Sequence, residues 1–329
     1  MNQSALKMFI WFSYILFLFS EKSYSQASVV LPFDSNYIDR SPSKYGIRIY
    51  SSMKQNTFYF FNQKWTDRVE FHPAQKIAAG LGFSYKSFAI DLGVAVYKHG
   101  LTDDQQTKGF NFIGTLYRGR NIIDITFEIN NGFTESAVDS SGKKINITRN
   151  DVDALNFGVN YNYLFNYKKL SLNAAYSGTQ IQKKSAGSPL LGLFVSDINV
   201  VSTDSLIARQ FSSLINPVPI GTQVNVFSFG ITGGYVFTVV LPHRFYLSAS
   251  LTPGITFCLS QSRRDSLNLF KNTIHLAPKI MAHASIGYGG KKFYVLAPFG
   301  LDINTVGLGD KDFLLYAPEK LKLVFGYRI

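Results

Sequence analysis

Cysteine is almost missing from this chain: Cys258 is the single one among 329 residues. One cysteine cannot form a disulfide within the chain. Because Cys258 lies far from the N-terminus, no thiol near a cleavage site is available to carry a lipid anchor. We therefore expect neither a disulfide-stapled secreted domain nor a lipoprotein.

Long apolar runs are also lacking beyond the first 20 residues. There, Lys7 precedes an apolar run over residues 8–19, and the small residues Ser23 and Ser25 precede Gln26. This pattern is typical of a secretory signal peptide, and the run is shorter than the roughly 20 residues of a spanning helix. We expect a signal peptide over residues 1–25, cleaved before Gln26; the alternative is a membrane anchor.

Charge is scarce as well, at 16% of residues against 46% hydrophobic residues. The formal net charge of +12 would suit nucleic acid. Export and the absence of a clustered Lys/Arg block in the sequence argue against that partner. Outer-membrane lipids and lipopolysaccharide, which present anionic headgroups, are the expected partners. No feature of the sequence indicates an oligomeric state.

What the sequence has in abundance is alternation, as in LNFGVNYNYLF over residues 155–165. Large apolar residues such as Phe157 and Tyr161 occupy one set of positions, and Gly158 and Asn160 lie in the other set. A period of two predicts a β-strand. A soluble sheet would carry charged residues on its second face. An apolar face opposite a small polar face instead favours a membrane barrel, with lipid outside and a wet lumen inside.

The same alternation recurs along the chain. Twelve strands are predicted, over residues 45–53, 77–86, 88–96, 108–118, 123–129, 155–165, 169–182, 227–237, 245–257, 271–288, 292–305 and 316–329. Very short connections alternate with long polar ones, which is typical of outer-membrane barrels with periplasmic turns and extracellular loops. Aromatic residues crowd the short turns and predict an interfacial girdle.

The predicted architecture is an all-β, transmembrane antiparallel barrel of about 12 strands, within a range of 10 to 14, with long extracellular loops. It would occupy residues 45–329 and follow a short periplasmic segment over residues 26–44. Residues 56–71 leave the count open, because a hairpin there gives 14 strands and a loop gives 12.

The segment 203–215 differs from its surroundings, because its apolar residues recur at helical spacing and Pro217 follows them. We predict a helix there, within a long loop over residues 183–221. This helix is either a plug for the barrel or a surface helix that packs on neighbouring loops.

Several phrases of the sequence together resemble a family of outer-membrane barrels of unknown function found in Bacteroidetes-type bacteria. They are IRIYSSMK, GLGFSYKSFAIDLG, KKSAGSPLLGL, GGYVFTVVLPHRFYLSASLTPG and the closing FGYRI. The resemblance covers most of residues 35–329 and implies the fold and the outer-membrane location, without an activity. The C-terminal strand also resembles the signal read by the barrel-insertion machinery.

One pair of residues invites an enzymatic hypothesis. His283 and Ser285 lie two apart on a predicted strand and so share a face, where a histidine could activate a hydroxyl. Outer-membrane phospholipases have the same spacing, on their lipid-facing side. Here Ile280 and Ile286 claim that side, so the pair is expected to point into the lumen. We therefore expect no enzyme and no cofactor; a lipid hydrolase using His283 and Ser285 is the alternative.

By parity, seven polar residues are predicted to face the lumen: Asp91, Asp124, Glu128, His275, Lys279, His283 and Arg328. We expect them to form ion pairs, because an unpaired buried charge is costly, although such residues also line pathways. The five scattered histidines predict no metal site.

The expected role is non-enzymatic, in envelope structure or as a narrow channel for small solutes. We predict that residues 183–221 and ion pairs of Asp124, Glu128 and Lys279 occlude the channel, so that deletion of residues 201–216 raises conductance. A surface-binding protein that acts through its long loops is a further alternative.

Overall fold

A computed structural model describes residues 33–40, 45–61, 68–73, 77–96, 108–138, 142–211, 221–264, 269–307 and 313–329. The predicted signal peptide lies outside the described residues, as do residues 26–32 and 41–44 of the predicted periplasmic segment. Among the residues that are described, no helix is long and apolar enough to cross a membrane.

The described chain forms fifteen strands and one short α-helix. In chain order they are β1 (Ile38–Asp39), β2 (Tyr45–Phe61), β3 (Arg68–Pro73), β4 (Ile77–Tyr85), β5 (Phe88–Ala95), β6 (Lys108–Arg118), β7 (Asn121–Val138), β8 (Lys144–Leu164), α1 (Leu172–Tyr176), β9 (Ile181–Gln182), β10 (Ala186–Ser202), β11 (Gln223–Val240), β12 (Phe245–Arg264), β13 (Leu269–Gly289), β14 (Phe293–Gly307) and β15 (Phe313–Arg328).

Twelve of these strands form a closed ring, in the order β2, β4, β5, β6, β7, β8, β10, β11, β12, β13, β14 and β15. Neighbouring strands are antiparallel, and β15 pairs with β2 over almost its whole length, from Phe313 opposite Phe61 to Arg328 opposite Gly46. This pairing closes the sheet and leaves the ring without a free edge. The prediction of an antiparallel barrel of about 12 strands is confirmed.

The ring has two different ends. At the turn end, short connections join β4 to β5, β6 to β7, β11 to β12 and β13 to β14. The strands β2, β7, β10, β12 and β14 end at the loop end, whereas β5 ends partway along the wall, where Ala95 pairs with Ala78. Because the strands are antiparallel, consecutive strands of the ring run in opposite directions, and β4, β5 and β6 cover only the turn-end part of the wall.

The hairpin of β5 and β6 makes the barrel wider at the turn end. β3 and β4 pair with the same edge of β2, one after the other. β2 pairs with β3 near Phe58, toward the loop end, and with β4 near Tyr45, toward the turn end. On its other side, β7 pairs with β6 up to Asn131 and with β3 from Phe133 onward. The ring therefore has twelve strands at the turn end and ten at the loop end, where β3 replaces β4, β5 and β6.

Residues 56–71 thus contain the hairpin between β2 and β3, and the ring still has 12 strands rather than 14. The register shifts between Asn131 and Phe133, where β7 changes partner. Gly132 lies at this bulge with φ of 86°. Glycine adopts this left-handed conformation without the steric cost of a Cβ.

Large apolar side chains cover the outside of the barrel. Leu81 is 68% exposed, Ile274 73% and Ile286 61%, and neighbouring outward positions are similar. Near the turn end, exposed aromatic rings stack on adjacent strands, as Tyr45 does on Tyr85 with 5.0 Å between ring centroids. Exposed apolar surface of this extent is costly in water, whereas it matches the lipid-facing band of a membrane barrel.

Two of the predicted segments are wrong. Residues 169–182 are not a long strand, because α1 begins after Ser171, whose side chain caps the helix by accepting a hydrogen bond from the Ala174 amide at 3.1 Å. Residues 183–221 are not one long loop, because they contain β10. The inward positions of β10 include buried Leu190, Phe194 and Ile198, so both of its faces are apolar and the alternation is hidden.

The predicted helix over residues 203–215 is also wrong where the structure describes it. Residues 203–208 are irregular, with bends at 203–204 and 206–207, and Arg209–Phe211 form one turn of 3-10 helix. Residues 212–215 lie outside the described part of the chain. The apolar residues of the segment nevertheless serve packing, because Leu206, Ile207 and Phe211 are buried.

Candidate functional site

At the turn end, the connection between β8 and β10 folds back into the barrel. We call residues 165–185, which contain α1 and β9, the plug. Asn173, Ala174 and Ala175 of α1 are buried, and Ala175 packs within a cluster of wall residues that includes Tyr50, Tyr294 and Leu296. Gly178 follows α1 with φ of 73°, and a Cβ there would collide with the ring of Tyr294. A glycine is therefore needed where the chain leaves the helix.

Polar side chains of the wall hold the plug by its backbone carbonyls. The Tyr246 hydroxyl donates to Ala174 O at 2.9 Å, and Ser285 Oγ donates to Ala175 O at 2.7 Å. Arg328 Nε donates to Gly178 O at 2.7 Å. Carbonyls at the end of a helix lack partners within it, so these bonds satisfy groups that would otherwise be buried unpaired.

The N-terminal segment adds to this closure. β1 pairs with β9, with Ile38 opposite Gln182, and the Asp34 amide donates to Lys168 O at 2.8 Å. Gln182 Nε2 donates to Lys169 O at 2.7 Å, so the two ends of the plug are tied together. The described part of residues 26–44 is thus bound to the plug at the turn end.

The loop end is closed by an apolar layer inside the ring, which we call the loop-end core. Its rings pack closely: Phe58 stacks on Tyr316 with 4.8 Å between centroids and meets Phe133 edge-on at 5.8 Å. Leu206 and Phe211 of the segment after β10 lie in the same layer. The layer is also where Cys258 is buried, as a free thiol.

One arginine fastens the segment after β10 to the wall. Arg149 on β8 donates to Glu135 at 2.5 Å, to Asp151 at 2.8 Å, and to the carbonyls of Ser205 and Leu206 at 2.6 and 3.1 Å. Glu135 in turn accepts from the Ala208 amide at 2.9 Å. We call Arg149, Glu135 and Asp151 the clamp.

Asp151 of the clamp lies beyond the last pair of β10 with β8, Ser202 with Val152, and so beyond Val195, the last exposed apolar residue of β10 toward the loop end. Its bonds from Arg149 hold the pKa of Asp151 at about 2, below the ordinary value of 3.8. The carboxylate is therefore charged at neutral pH and remains paired with the guanidinium.

Between the plug and the loop-end core lies a cavity of about 350 Å³ with both apolar and polar lining residues, which we call the chamber. Charged and amide side chains that line it are Arg48, Asp91, Asp124, Glu128, Asn156, Asn160, Asn162, His283, Asp302, Lys320 and Lys322. Thr115 and Thr126 add hydroxyl groups. The chamber is the candidate functional site, because it is a concave space with convergent polar groups.

Ion pairs neutralise part of the chamber wall. Asp91 accepts from Arg48 at 2.7 Å and from Lys322 at 2.8 Å. Lys279 donates to Asp302 at 2.5 Å. Pairing of this kind offsets the cost of taking charges out of water.

Three of these lumen residues, Asp124, Glu128 and Lys279, were predicted to take part in ion pairs. Lys279 pairs with Asp302, whereas Glu128 accepts from Asn56 at 2.9 Å and Asp124 accepts from the Thr115 hydroxyl at 2.7 Å. The structure therefore brings Asp91, Asp124, Glu128 and His283 together around the chamber, and places Lys279 beside it through Asp302.

The other predicted lumen residues lie in the two closing layers. Arg328 is 4% exposed and holds the plug. His275 is opposite Cys258, the buried thiol of the loop-end core, in the pairing of β12 and β13. His283 lies near the plug, with 6.2 Å between its ring centroid and that of Tyr176.

Glycines on the inner face hold space for side chains of the wall. A Cβ at Gly80 would collide with the ring of Tyr50, and one at Gly326 would collide with the ring of Tyr294. These tyrosine rings fill the turn end of the lumen. Small residues on the inner face of the strands therefore make room for neighbouring side chains and do not by themselves indicate an open lumen.

Sequence comparison assigns the chain to a family. The model of the family described as Domain of unknown function (DUF4421) matches residues 32–328. The chain belongs to the DUF4421 family. The match spans every described element of the barrel, together with β1 and the plug. None of the curated proteins is significantly similar to this DUF4421 chain.

Solved structures similar to the DUF4421 barrel are outer-membrane proteins. The outer membrane protease OmpT from Escherichia coli has a TM-score of 0.41 and 9% identity, and the match covers 92% of this chain and 100% of OmpT. The beta domain of the Bordetella autotransporter BrkA has a TM-score of 0.35 and 9% identity, and the match covers 89% of this chain and 100% of that domain. The translocator domain of the autotransporter NalP from Neisseria meningitidis has a TM-score of 0.31 and 8% identity, and the match covers 86% of this chain and 88% of that domain. Likeness at this level transfers no activity to the DUF4421 chain.

Proposed function

We propose that this DUF4421 protein is a non-enzymatic barrel of the bacterial outer membrane that is closed at rest. The exposed apolar band supports a membrane setting, because it surrounds the ring and is bordered by stacked aromatic rings at the turn end. In this setting the turn end faces the periplasm and the loop end faces outward. Outer-membrane lipids and lipopolysaccharide contact the band, and the barrel-insertion machinery places the chain there.

The observation that carries the closed state is the filling of the lumen in two layers. The plug occupies the turn end and the loop-end core occupies the other, with the chamber between them. A barrel of this size lies between small barrels filled by side chains and large porins with an aqueous channel. The protein is thus a channel for small solutes only if a layer moves, or a structural element of the envelope if neither does.

The geometry around Ser285 supports a non-enzymatic role. Its hydroxyl is fully buried and donates to the plug carbonyl of Ala175, so its proton is already engaged. A nucleophile needs a neighbouring base, an orienting group and access for the substrate. The sequence hypothesis of a lipid hydrolase using His283 and Ser285 therefore gains no support here.

The outer-membrane location is tested by cell fractionation. The folded protein should sediment with outer membranes and migrate faster on a gel before heating than after it, as closed barrels do. Recovery of the protein in the soluble periplasm would contradict the proposal. The Bacteroidetes-type origin stays a prediction from the sequence.

A further inference from the structure

A second cavity lies next to the chamber. It measures about 220 Å³ and is lined by the N-terminal segment, the turns after β4 and β6, and the plug. Tyr117, Ile122 and Leu172 line both cavities. These three side chains, which we call the septum, therefore separate the chamber from a pocket at the turn end.

The septum is the apolar side of α1. Wall side chains on β2, β12, β13 and β15 donate hydrogen bonds to the backbone carbonyls of residues 174–178, namely Arg48, Tyr246, Ser285 and Arg328. The start of the plug bonds to β10 instead, through Asn166. Across the septum, Leu172 meets Tyr117 and Ile122 in an apolar cluster. Apolar contacts are not directional, so a side chain there can shift without breaking a hydrogen bond.

A polar row lies directly behind the septum. On the three adjacent strands β6, β7 and β8, the register places Tyr117, Ile122 and Asn162 side by side. Two residues further along the same face, it places Thr115, Asp124 and Asn160 side by side. A solute that passes Leu172 therefore meets a hydroxyl, a carboxylate and an amide first.

Asp124 is the carboxylate of this row, and its charge has no paired cation. Among the described side chains, no Lys, Arg or His nitrogen forms an ion pair with it, whereas Asp91 has two such partners and Asp302 has Lys279. Its hydrogen bond comes from the neutral Thr115 hydroxyl. A carboxylate inside a membrane barrel is expensive unless a cation compensates it.

From this arrangement we infer that the chamber binds a small cationic solute, which enters from the turn end past Leu172 and places its charge on Asp124. Asn160 and Thr115 supply the hydrogen bonds beside the carboxylate. The chamber, at about 350 Å³, lies at the lower end of the range for drug-sized ligands, which begins at roughly 300 Å³. The solute is therefore a small molecule. This inference rests on the proposed closed barrel.

The test measures how fast a thiol in the chamber reacts. Cys258→Ala removes the native thiol, and Asn160→Cys places one in the polar row; Thr126→Cys is a second position if the first variant does not fold. The purified barrel in detergent is treated with two methanethiosulfonate reagents, one carrying trimethylammonium and one carrying sulfonate. Detergent leaves both ends of the barrel accessible, and heat-modifiable gel mobility verifies folding.

The entrance is identified with two matched leucine variants. Leu172→Ala shortens the septum, and Leu206→Ala shortens the loop-end core by the same amount. We expect Leu172→Ala to raise the labelling rate about tenfold, which corresponds to about 1.4 kcal/mol of opening free energy. Leu206→Ala should leave the rate within about twofold of the parent. Equal effects of the two variants, or a larger effect of Leu206→Ala, would overturn the assigned entrance.

The solute class is identified by charge. The trimethylammonium reagent should react about tenfold faster than the sulfonate reagent, and Asp124→Asn should abolish the difference because it removes the attracting charge. A sulfonate preference, or a cation preference that survives Asp124→Asn, would overturn the cationic ligand. Lys291→Cys places a thiol at an exposed position and gives the labelling rate of a thiol that no layer of the barrel shields. If the chamber thiol of the parent reacts as fast as the thiol at position 291, the proposal of a closed barrel is wrong. If only the comparison of the leucine variants or of the two reagents gives the opposite result, the closed barrel stands and the inferred entrance or cationic solute is wrong.

Discussion

Arg149 is the residue on which the loop-end closure depends most. It is 7% exposed and bonds to two carboxylates and to two carbonyls of the segment after β10. Removing its charge leaves Glu135, which is fully buried, without its cation. Breaking a buried pair in this way typically costs about 3–5 kcal/mol.

Arg149→Met should therefore release the segment that carries Leu206. Trypsin should then cut after Arg209, which lies in the short 3-10 turn, faster than in the parent protein. Lys144→Met is the matched control, because Lys144 lies on the same strand and makes an exposed pair with Glu70. Unchanged cleavage in Arg149→Met would show that the loop-end core alone holds the segment.

The clamp also predicts a dependence on acid. The folded pKa of Asp151, about 2, lies below its ordinary value of 3.8, so its pairing stabilises the fold fully above pH 4. This contribution is lost as the pH falls from about 4 toward 2. Urea unfolding midpoints at pH 5 and pH 2 should differ less for Asp151→Asn than for the parent. An equal difference between the midpoints at pH 5 and pH 2 in both proteins would show that Asp151 does not contribute to the acid dependence.

At the scale of elements, the plug depends on a few hydrogen bonds from the wall. Ser285→Ala combined with Tyr246→Phe leaves the carbonyls of Ala174 and Ala175 without these donors. An unsatisfied buried group costs about 1–3 kcal/mol, so the plug should open more often.

Hydrogen–deuterium exchange measures this opening. Amides of residues 172–178 should exchange faster in the double variant, while those of the wall strands stay protected. Thr238→Val is the control, because Thr238 bonds to Ser248 within the wall at 2.9 Å. Exchange that rises equally across the whole barrel would indicate loss of barrel stability and contradict a separable plug.

Strands were predictable from the sequence wherever one face meets lipid and the other carries small polar residues. β11 is such a strand, with exposed Phe229 and Ile231 opposite buried Ser228 and Thr232. β10 was not predictable, because its inward Leu190 and Phe194 pack inside the barrel and make both faces apolar. The plug was missed for a related reason: Leu170, Leu172 and Ala174 alternate like a strand, and only the cap at Ser171 indicates a helix.

The chamber was predictable in part. Parity placed Asp91, Asp124, Glu128 and His283 on one surface, because a strand gives its alternate residues a common face. Their partners come from strands far apart in sequence, as Lys322 does for Asp91 across 231 positions. No local pattern reports such pairs, so their identity required the closed ring.

For the molecule as a whole, we propose two barriers in series. The hairpin of β5 and β6 widens the turn end to twelve strands and makes room for the plug, while the ten-stranded loop end is narrow enough for wall side chains to fill. In the proposed closed state, either layer alone blocks the path through the chamber. The closed state therefore does not depend on a single segment.

Planar-bilayer recording of single channels shows whether the two layers close the barrel in series. Four proteins are compared: the parent, a variant with residues 170–182 replaced by a short Gly/Ser linker, a variant lacking residues 203–216, and the combination. We expect no steady current for the parent, little current for either single change, and the largest current for the combination. This replaces the sequence prediction that deletion of residues 201–216 alone raises conductance, because the plug at the turn end would still close the barrel. Large steady channels from the parent, or a single change that conducts as well as the combination, would contradict two barriers in series.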